Sequence, residues 1–266
     1  MDLREMNYEL YLIIEEMSNS NVKIRQKAEE KIKKLAEENL GGLLIDLCRN
    51  IANIEIKKEF RQINSNLFQN ILIHPLYIQN YLDLCSETKN QIKDEIFFGF
   101  NSNDQYIRFS SALALCVIAK IELPRNQFLY IFDIFYENIK KKNLNMQLST
   151  IIAINFIIKE AKKDCIIISN ENMLKIMETF YMVLKKEEKN FQLILDVLKS
   201  IKLNLSYIIE YVNSTNKNLY FYDLLLRQMN HKSIEIRNIV LFIFLELIKD
   251  YYDFDNNHYT HFFQLK

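Results

Sequence analysis

The stretch that decides the fold is NDQYIRFSSA at Asn103–Ala112. It places a polar turn before an aliphatic residue, an arginine and a run of apolar residues. The same order recurs in four other stretches, which are SNVKIRQKA at Ser20–Ala28, EFRQIN at Glu59–Asn64, NLNMQLSTI at Asn143–Ile151 and KSIEIRNIV at Lys232–Val240. One local structure is therefore repeated along the chain.

The repeats are anchored by an arginine or a glutamine at intervals of 36 to 47 residues. The anchors are Arg25, Arg61, Arg108, Gln147, Gln192 as a weak fifth member, and Arg237. This period is typical of the two-helix units of HEAT or armadillo arrays, which usually bind partners. We therefore expect an all-α fold, a HEAT-repeat α-α superhelix (solenoid) of about six helix pairs.

Composition supports helices and argues against several function classes. The 266 residues include only 3 Gly and 2 Pro, whereas turn-rich β folds and phosphate-cradling loops need many glycines. The 34 basic and 34 acidic side chains balance, so charge predicts no binding to nucleic acid. The longest apolar runs are too short for a membrane span, and we expect no membrane insertion.

Apolar residues recur with a helical period along almost the whole chain. We predict one domain over 1–266, in which Asn39-Leu40-Gly41-Gly42 ends one helix and starts another. Residues 251–266 look like the start of a further helix, so we expect a fragment of a longer solenoid, or else a C-terminal helix that folds back as a cap. The predicted pairs are 7–17 with 21–38, 41–53 with 55–73, 78–100 (broken near Ser86) with 105–121, 126–141 with 144–161, 172–185 with 190–201, and 219–230 with 233–250.

No catalytic constellation stands out in the sequence. His258 and His261 have the spacing of zinc ligands but lack a third ligand nearby, and we interpret them as part of a solvated tail. The four cysteines form no CxxC pair, and we predict reduced, buried thiols at Cys48, Cys85, Cys116 and Cys165. We expect no enzyme activity, no metal and no cofactor.

Some aromatic residues exceed what a helical core can take. Tyr220, Phe221 and Tyr222 are consecutive, as are Phe180 and Tyr181, and adjacent side chains on a helix point in different directions. Exposed aromatics on neighbouring helices would form a groove for an apolar peptide. The alternative is that the two first helices of adjacent pairs simply pack on each other.

Four stretches, in this order, resemble the importin-β family of β-karyopherins, which are nuclear transport receptors. The first, Asn21–Asn53, contains RQKAEEKIKKLAEENL and LLIDLCRNIAN; the others are IELPRNQF at Ile121–Phe128, VLKKEEKN at Val183–Asn190 and IRNIVLFIFLELIKDYY at Ile236–Tyr252. The resemblance covers nearly the whole chain and corresponds to about the first six repeats of the family.

The resemblance implies two binding surfaces. In the family, grooves between the first (A) helices of repeats five and six take Phe-Gly (FG) repeats of nucleoporins, and the second (B) helices of the early repeats hold the small GTPase Ran in its GTP form. Aligned FG positions here are Met177, Glu178, Tyr181, Lys217, Tyr220 and Phe221. Aligned Ran positions are Arg61, Gln69, Asn70, Ser111, Ala114 and Val117.

The resemblance further implies a receptor that moves between cytoplasm and nucleus through the nuclear pore. Importin-α or cargo would bind later repeats that this chain lacks. The alternative function is a HEAT-repeat scaffold or adaptor subunit with unrelated protein partners.

Overall fold

The computed structural model describes residues 8–163, 166, 168–185, 190–205, 208, 209 and 218–263, and their side chains except those of 218–220 and 250–263. These residues contain α-helices and one 3₁₀ turn, Leu123–Arg125, but no strand. The helices are α1 Tyr8–Met17, α2 Val22–Ala52, α3 Lys58–Ile73, α4 Pro75–Leu82, α5 Ser86–Phe100, α6 Gln105–Glu122, α7 Ile131–Lys140, α8 Leu144–Ala161, α9 Asn170–Lys185, α10 Phe191–Leu203, α11 Asn218–Met229 and α12 Ile234–Phe263.

The chain forms two compact units. Unit 1 comprises Met1–Ile131 and Lys141–Ile167, and unit 2 comprises Phe132–Lys140 and Ile168–Lys266. The assignment of one domain to 1–266 stays a prediction.

Each unit is built from helical hairpins. In unit 1, α6 packs against α5, its hairpin partner, and against α3 and α8, the B helices before and after it. In unit 2, α12 packs in the same way against α11, its hairpin partner, and α10, the preceding B helix. The apolar side of α6 is fully enclosed, since Ile107, Leu115 and Ile118 have no exposed area.

The repeated arginines hold the turns between the helices of a pair. Arg108 donates hydrogen bonds from Nη1 to the carbonyl oxygens of Ser102 and Asn103, at 2.9 and 3.0 Å. Arg25 and Arg237 donate to the carbonyls six and five residues before them in the same way. Gln147 reaches the carbonyl six residues earlier, at 2.8 Å. The repeated residue therefore has a structural role, because carbonyl oxygens that follow the end of a helix lack donors within that helix.

The two remaining anchors behave differently. Arg61 donates from Nη2 to Asp104 Oδ2 at 2.7 Å, and so ties α3 to the start of α6. Gln192 donates to Asp196 on its own helix. The turn residues before Gln192, 186–189, lie outside the described residues, so its part in that turn stays a prediction.

The expected break at Asn39 is a bend within α2. Asn39 has φ −154° and ψ 74°, outside the helical range, while the residues on both sides are helical. Its Oδ1 accepts a hydrogen bond from the Gly42 N–H at 3.0 Å, as an N-cap residue would. The predicted stop and start are therefore present, but without a loop between them.

The segment before α7 departs from the prediction of a helix from 126. Asn126 and Phe128 have positive φ values of 56° and 59°, which are incompatible with a continuous helix. At the other end, α12 continues to Phe263, so residues 251–263 extend the last helix instead of starting a new one.

One cysteine prediction is wrong. Cys48 and Cys116 are buried, as predicted, but Cys85 is exposed because it precedes α5 at the N-cap position. Its Sγ lies 3.1 Å from Thr88 Oγ1. Cys165 lies outside the described residues.

Candidate protein-binding surfaces

The predicted FG-binding residues on α9 share one exposed side of the helix. Met177 and Tyr181 are one turn apart and half-buried, and Glu178 beside them is exposed. The opposite side of α9 is core, with Ile176, Phe180 and Val183 at most 1% exposed. Helical geometry therefore resolves the Phe180–Tyr181 pair: the phenylalanine packs inside and the tyrosine faces the surface.

Helix α11 forms the second wall of this surface within unit 2. It packs against α9, and Gln228 Nε2 donates to the carbonyl oxygen of Leu184 at 3.1 Å. Phe221 is buried, 6% exposed, and its ring centroid lies 5.9 Å from that of the half-buried Tyr222. Tyr220 belongs to α11, but its side chain and Lys217 lie outside what the structure describes. Tyr222 was not among the predicted site residues.

A cation borders the α9 surface. The Lys185 ammonium lies 5.5 Å from the centroid of the Tyr181 ring, within the range of a cation–π contact. This contact presents the tyrosine as a flat, partly exposed ring.

The predicted Ran-binding residues divide into surface and buried groups. On α3, Asn70 is exposed and Gln69 is half-buried, and Gln69 Nε2 donates to the Ser65 carbonyl oxygen at 3.2 Å. Arg61 is 4% exposed and engaged with Asp104. Its guanidinium therefore ties two repeats of unit 1 together.

The α6 members of this set are all buried. Ser111, Ala114 and Val117 are 1%, 2% and 5% exposed. Ser111 faces α5, where a Cβ atom on Gly99 would lie 2.1 Å from Ser111 Oγ. The two helices approach closely here because Gly99 has no side chain. Ser111 therefore lies at a close approach of two helices, and the assignment of all three residues to Ran stays a prediction.

Sequence reasoning missed an aromatic pair on the B helices of unit 1. Phe109 on α6 is 46% exposed, and its ring meets that of Phe156 on α8 edge to face at 5.2 Å. Lys120 and Glu160 join the same two helices by an ion pair at 2.8 Å. Phe109 directly follows the anchor Arg108, and this adjacency is the signal that could have identified it.

The described residues contain no group of three or more His, Cys, Asp or Glu side chains arranged to hold a metal ion. Within the same residues, none of the helices combines the length and apolar character needed to cross a membrane.

The protein is built of stacked helical hairpins whose turns are held by side-chain hydrogen bonds, and this defines it as an all-α HEAT-repeat array. Solved structures with the same fold match the chain. The chain matches yeast importin-β (Kap95p) with a TM-score of 0.79 at 18% identity, covering 94% of this chain and 30% of that one. It matches Kap121p with a TM-score of 0.62 at 17% identity, covering 91% and 22%. The predicted HEAT-repeat fold is confirmed.

The similarity extends to a curated sequence. The chain is 22% identical over 236 residues to importin subunit beta-1 of Arabidopsis thaliana, covering 86% of this chain and 27% of that protein. The predicted resemblance to importin-β is therefore confirmed. Kap95 has also been solved with Nup1, and with Ran, where Kap95p binding makes the switch loops of RanGDP adopt the GTP-bound conformation.

No family model matches the chain. The chain spans less than a third of the length of the relatives it matches.

Proposed function

We propose that this chain is a protein-binding module of the nuclear import receptor class. The observation that carries the proposal is the similarity to importin subunit beta-1, which runs over 86% of this chain. The module binds FG nucleoporins and Ran-GTP, and it performs no catalysis. It works in cytoplasm and nucleus and at the nuclear pore, and importin-α or cargo binds to further repeats.

The FG site lies on the A helices of unit 2. Tyr181 and Met177 offer an aromatic ring and a flexible thioether on α9, and Tyr222 is half-buried on α11, the helix that packs against α9. Transferring one phenylalanine side chain from water to such a surface contributes about 2 kcal/mol. One contact is therefore weak and short-lived, and tandem FG repeats raise the total affinity through multivalency.

The Ran site lies on the B helices of unit 1. Asn70 and Gln69 are the members of the predicted set that a partner can touch, because Asn70 is exposed and Gln69 half-buried, whereas the other four are at most 5% exposed. Arg61 ties α3 to α6 through Asp104, and Ser111 lies where α5 and α6 approach closely at Gly99. Ala114 and Val117 are buried on α6.

The FG site is tested by titrating a tandem FG peptide into the full chain and into Tyr181→Ala. We expect wild type to bind and the variant to bind about tenfold more weakly, since a truncated interfacial aromatic costs 1 kcal/mol or more. The control is Tyr8→Ala, which removes an exposed tyrosine from α1 and should bind as wild type does.

A folded wild-type chain that binds no FG peptide would contradict the proposal and favour the scaffold alternative. Equal affinity of wild type and Tyr181→Ala would contradict the location of the groove.

A further inference from the structure

A pair of exposed apolar side chains, the 129–130 patch, lies beside α5 in unit 1. Its members, Leu129 and Tyr130, precede α7 in the chain and are 41% and 49% exposed. Burial, followed by the negative charges of Glu122 and Asp94, raises the pKa of the Tyr130 hydroxyl, so this ring lies close to Asp94 on α5. Phe98, one turn after Asp94, is 49% exposed and adds a further ring on this side of α5.

The backbone that carries the patch is fixed. The Gln127 N–H donates to the carbonyl oxygen of Glu122 at 3.0 Å. The Ile131 N–H donates to that of Phe128, also at 3.0 Å. Phe128 has a φ of 59°, which bulky residues rarely adopt, and its side chain is 4% exposed. The chain therefore turns Phe128 inward and leaves the two following side chains outward. A surface that is already ordered loses little entropy when it binds a ligand.

The Tyr130 ring is supported by a second ring and by a cation. Its centroid lies 5.0 Å from that of the Phe128 ring, edge to face, and 5.9 Å from the Lys93 ammonium. The α9 surface contains the same combination, since the Lys185 ammonium lies 5.5 Å from the centroid of the Tyr181 ring. Both surfaces thus present a partly exposed tyrosine that a lysine approaches. Such a ring can receive another aromatic ring edge to face.

Charge and size select the occupant of the patch. The Lys93 ammonium is buried and neutralised by Glu122 at 2.6 Å, so it offers no exposed charge to a partner. Asp94 adds one exposed carboxylate at the edge, which repels an acidic segment and holds a basic one only weakly. Two side chains that are each less than half exposed fall far short of the roughly 800 Å² per partner of a stable interface between folded proteins. The patch therefore suits one apolar anchor of an uncharged, extended peptide.

We infer that the 129–130 patch binds a phenylalanine–glycine segment, as a second site of the kind proposed on α9 and α11. The phenylalanine side chain packs against the Tyr130 ring and Leu129. This inference rests on the proposed function, from which it takes the class of ligand. Each site alone is weak, and a second one gives a tandem FG peptide a further place to rebind.

The test is fluorine NMR of the full chain, produced with fluorotyrosine in place of tyrosine and titrated with a peptide that contains a single FG motif. The signals of Tyr130 and Tyr181 are assigned with the variants Tyr130→Phe and Tyr181→Phe. We expect the FG peptide to shift both signals, and a peptide with Ser-Gly in place of Phe-Gly to shift neither.

The two signals separate this inference from the proposed function. A shift of Tyr181 without one of Tyr130 would overturn the inference and leave the proposed FG site in place. A shift of Tyr130 alone would support the inference and contradict the site on α9. If neither signal moves, both are overturned.

The contribution of the patch to affinity is tested in the Tyr181→Ala background, where the α9 site is weakened. We expect the further substitution Tyr130→Ala to weaken the remaining binding of a tandem FG peptide about fivefold, because an interfacial aromatic side chain is truncated. The control is Tyr8→Ala in the same background, which removes an exposed tyrosine from α1 and should leave the affinity unchanged. An equal effect of Tyr130→Ala and Tyr8→Ala would overturn the inference.

Discussion

Arg108 shows what the repeated basic residue does at the scale of one side chain. Its guanidinium is largely buried and donates to two turn carbonyls that have no partner within a helix. The sequence predicted that this position matters because it recurs. It could not predict the contact, because the direction of the guanidinium depends on the path of the preceding turn.

We expect Arg108→Met to lower the free energy of unfolding by about 1–3 kcal/mol, because two part-buried turn carbonyls lose a charged donor. Gln192→Met should change it by less than about 0.5 kcal/mol, since Gln192 is exposed and its described hydrogen bond goes to Asp196 on the same helix. Urea denaturation of both variants measures the two changes. An equal loss of unfolding free energy in both would contradict the role of Arg108 in holding the turn.

A buried ion pair lies on the A-helix side of unit 1. Lys93 Nζ is 2.6 Å from Glu122 Oε2, both side chains are nearly inaccessible, and Tyr81 donates to the other carboxylate oxygen at 2.8 Å. Burial, followed by the charge and the hydrogen bond of Glu122, raises the pKa of the Tyr81 hydroxyl far above its usual value. The Phe128 ring centroid lies 4.1 Å from the same ammonium, which helps to hold this residue at its positive φ.

Removing one partner should be more harmful than removing both. Lys93→Met leaves a buried carboxylate unpaired, and we expect a loss of about 3–5 kcal/mol. Combining it with Glu122→Gln should recover part of that loss, because the remaining group is neutral and still accepts the Tyr81 hydrogen bond. Thermal unfolding of both variants is the measurement, and a double variant less stable than the single one would contradict this account.

At the scale of elements, Arg61 and Asp104 join α3 to α6. Burial acts against ionisation of Asp104, but hydrogen bonds from the Tyr106 and Ile107 N–H groups and the charge of Arg61 prevail and lower its pKa below the ordinary value. A lowered folded-state pKa stabilises the fold above the ordinary pKa of about 4, and this contribution is lost as the pH falls further.

Asp104→Asn keeps an N-cap side chain but has no charge to titrate. We therefore expect the stability difference between wild type and this variant to be constant above about pH 5 and to shrink as the pH falls below 4. Urea denaturation across this pH range measures it. A stability difference that grows as the pH falls would contradict the lowered pKa of Asp104.

The sequence predicted most helices because their periodicity is strong, and α8 begins and ends at the predicted residues, Leu144 and Ala161. It placed the start of α7 five residues early, since nothing local announces the positive φ values of Asn126 and Phe128. It ended the last helix at 250, although residues 234–263 contain no glycine or proline to stop it.

The candidate binding sites could be predicted only in part, because the exposure of a side chain depends on contacts between helices. Adjacent aromatics showed that Phe180 or Tyr181 must be exposed, but not which one. The burial of Ser111 depends on Gly99, a contact between helices that periodicity does not contain.

At the scale of the whole molecule, the proposed sites draw on different helices: α9 and α11 of unit 2 for FG repeats, and α3 of unit 1 for Ran. Because they share no residue, we expect the affinity for an FG peptide to change less than about twofold when Ran-GTP saturates the chain. Fluorescence titration with and without Ran-GTP measures this, and displacement of the peptide would contradict the independence of the two sites.

The central claim is that this chain belongs functionally with nuclear import receptors, and the most direct test is its discrimination between the two nucleotide states of Ran. Ran-GTP and Ran-GDP are titrated separately into the folded chain, with Asn70→Arg as the variant that blocks the exposed α3 surface. The account predicts binding of Ran-GTP at least about tenfold tighter than that of Ran-GDP, with the Ran-GTP affinity reduced in the variant. A folded chain that binds neither form, or both equally, would contradict it.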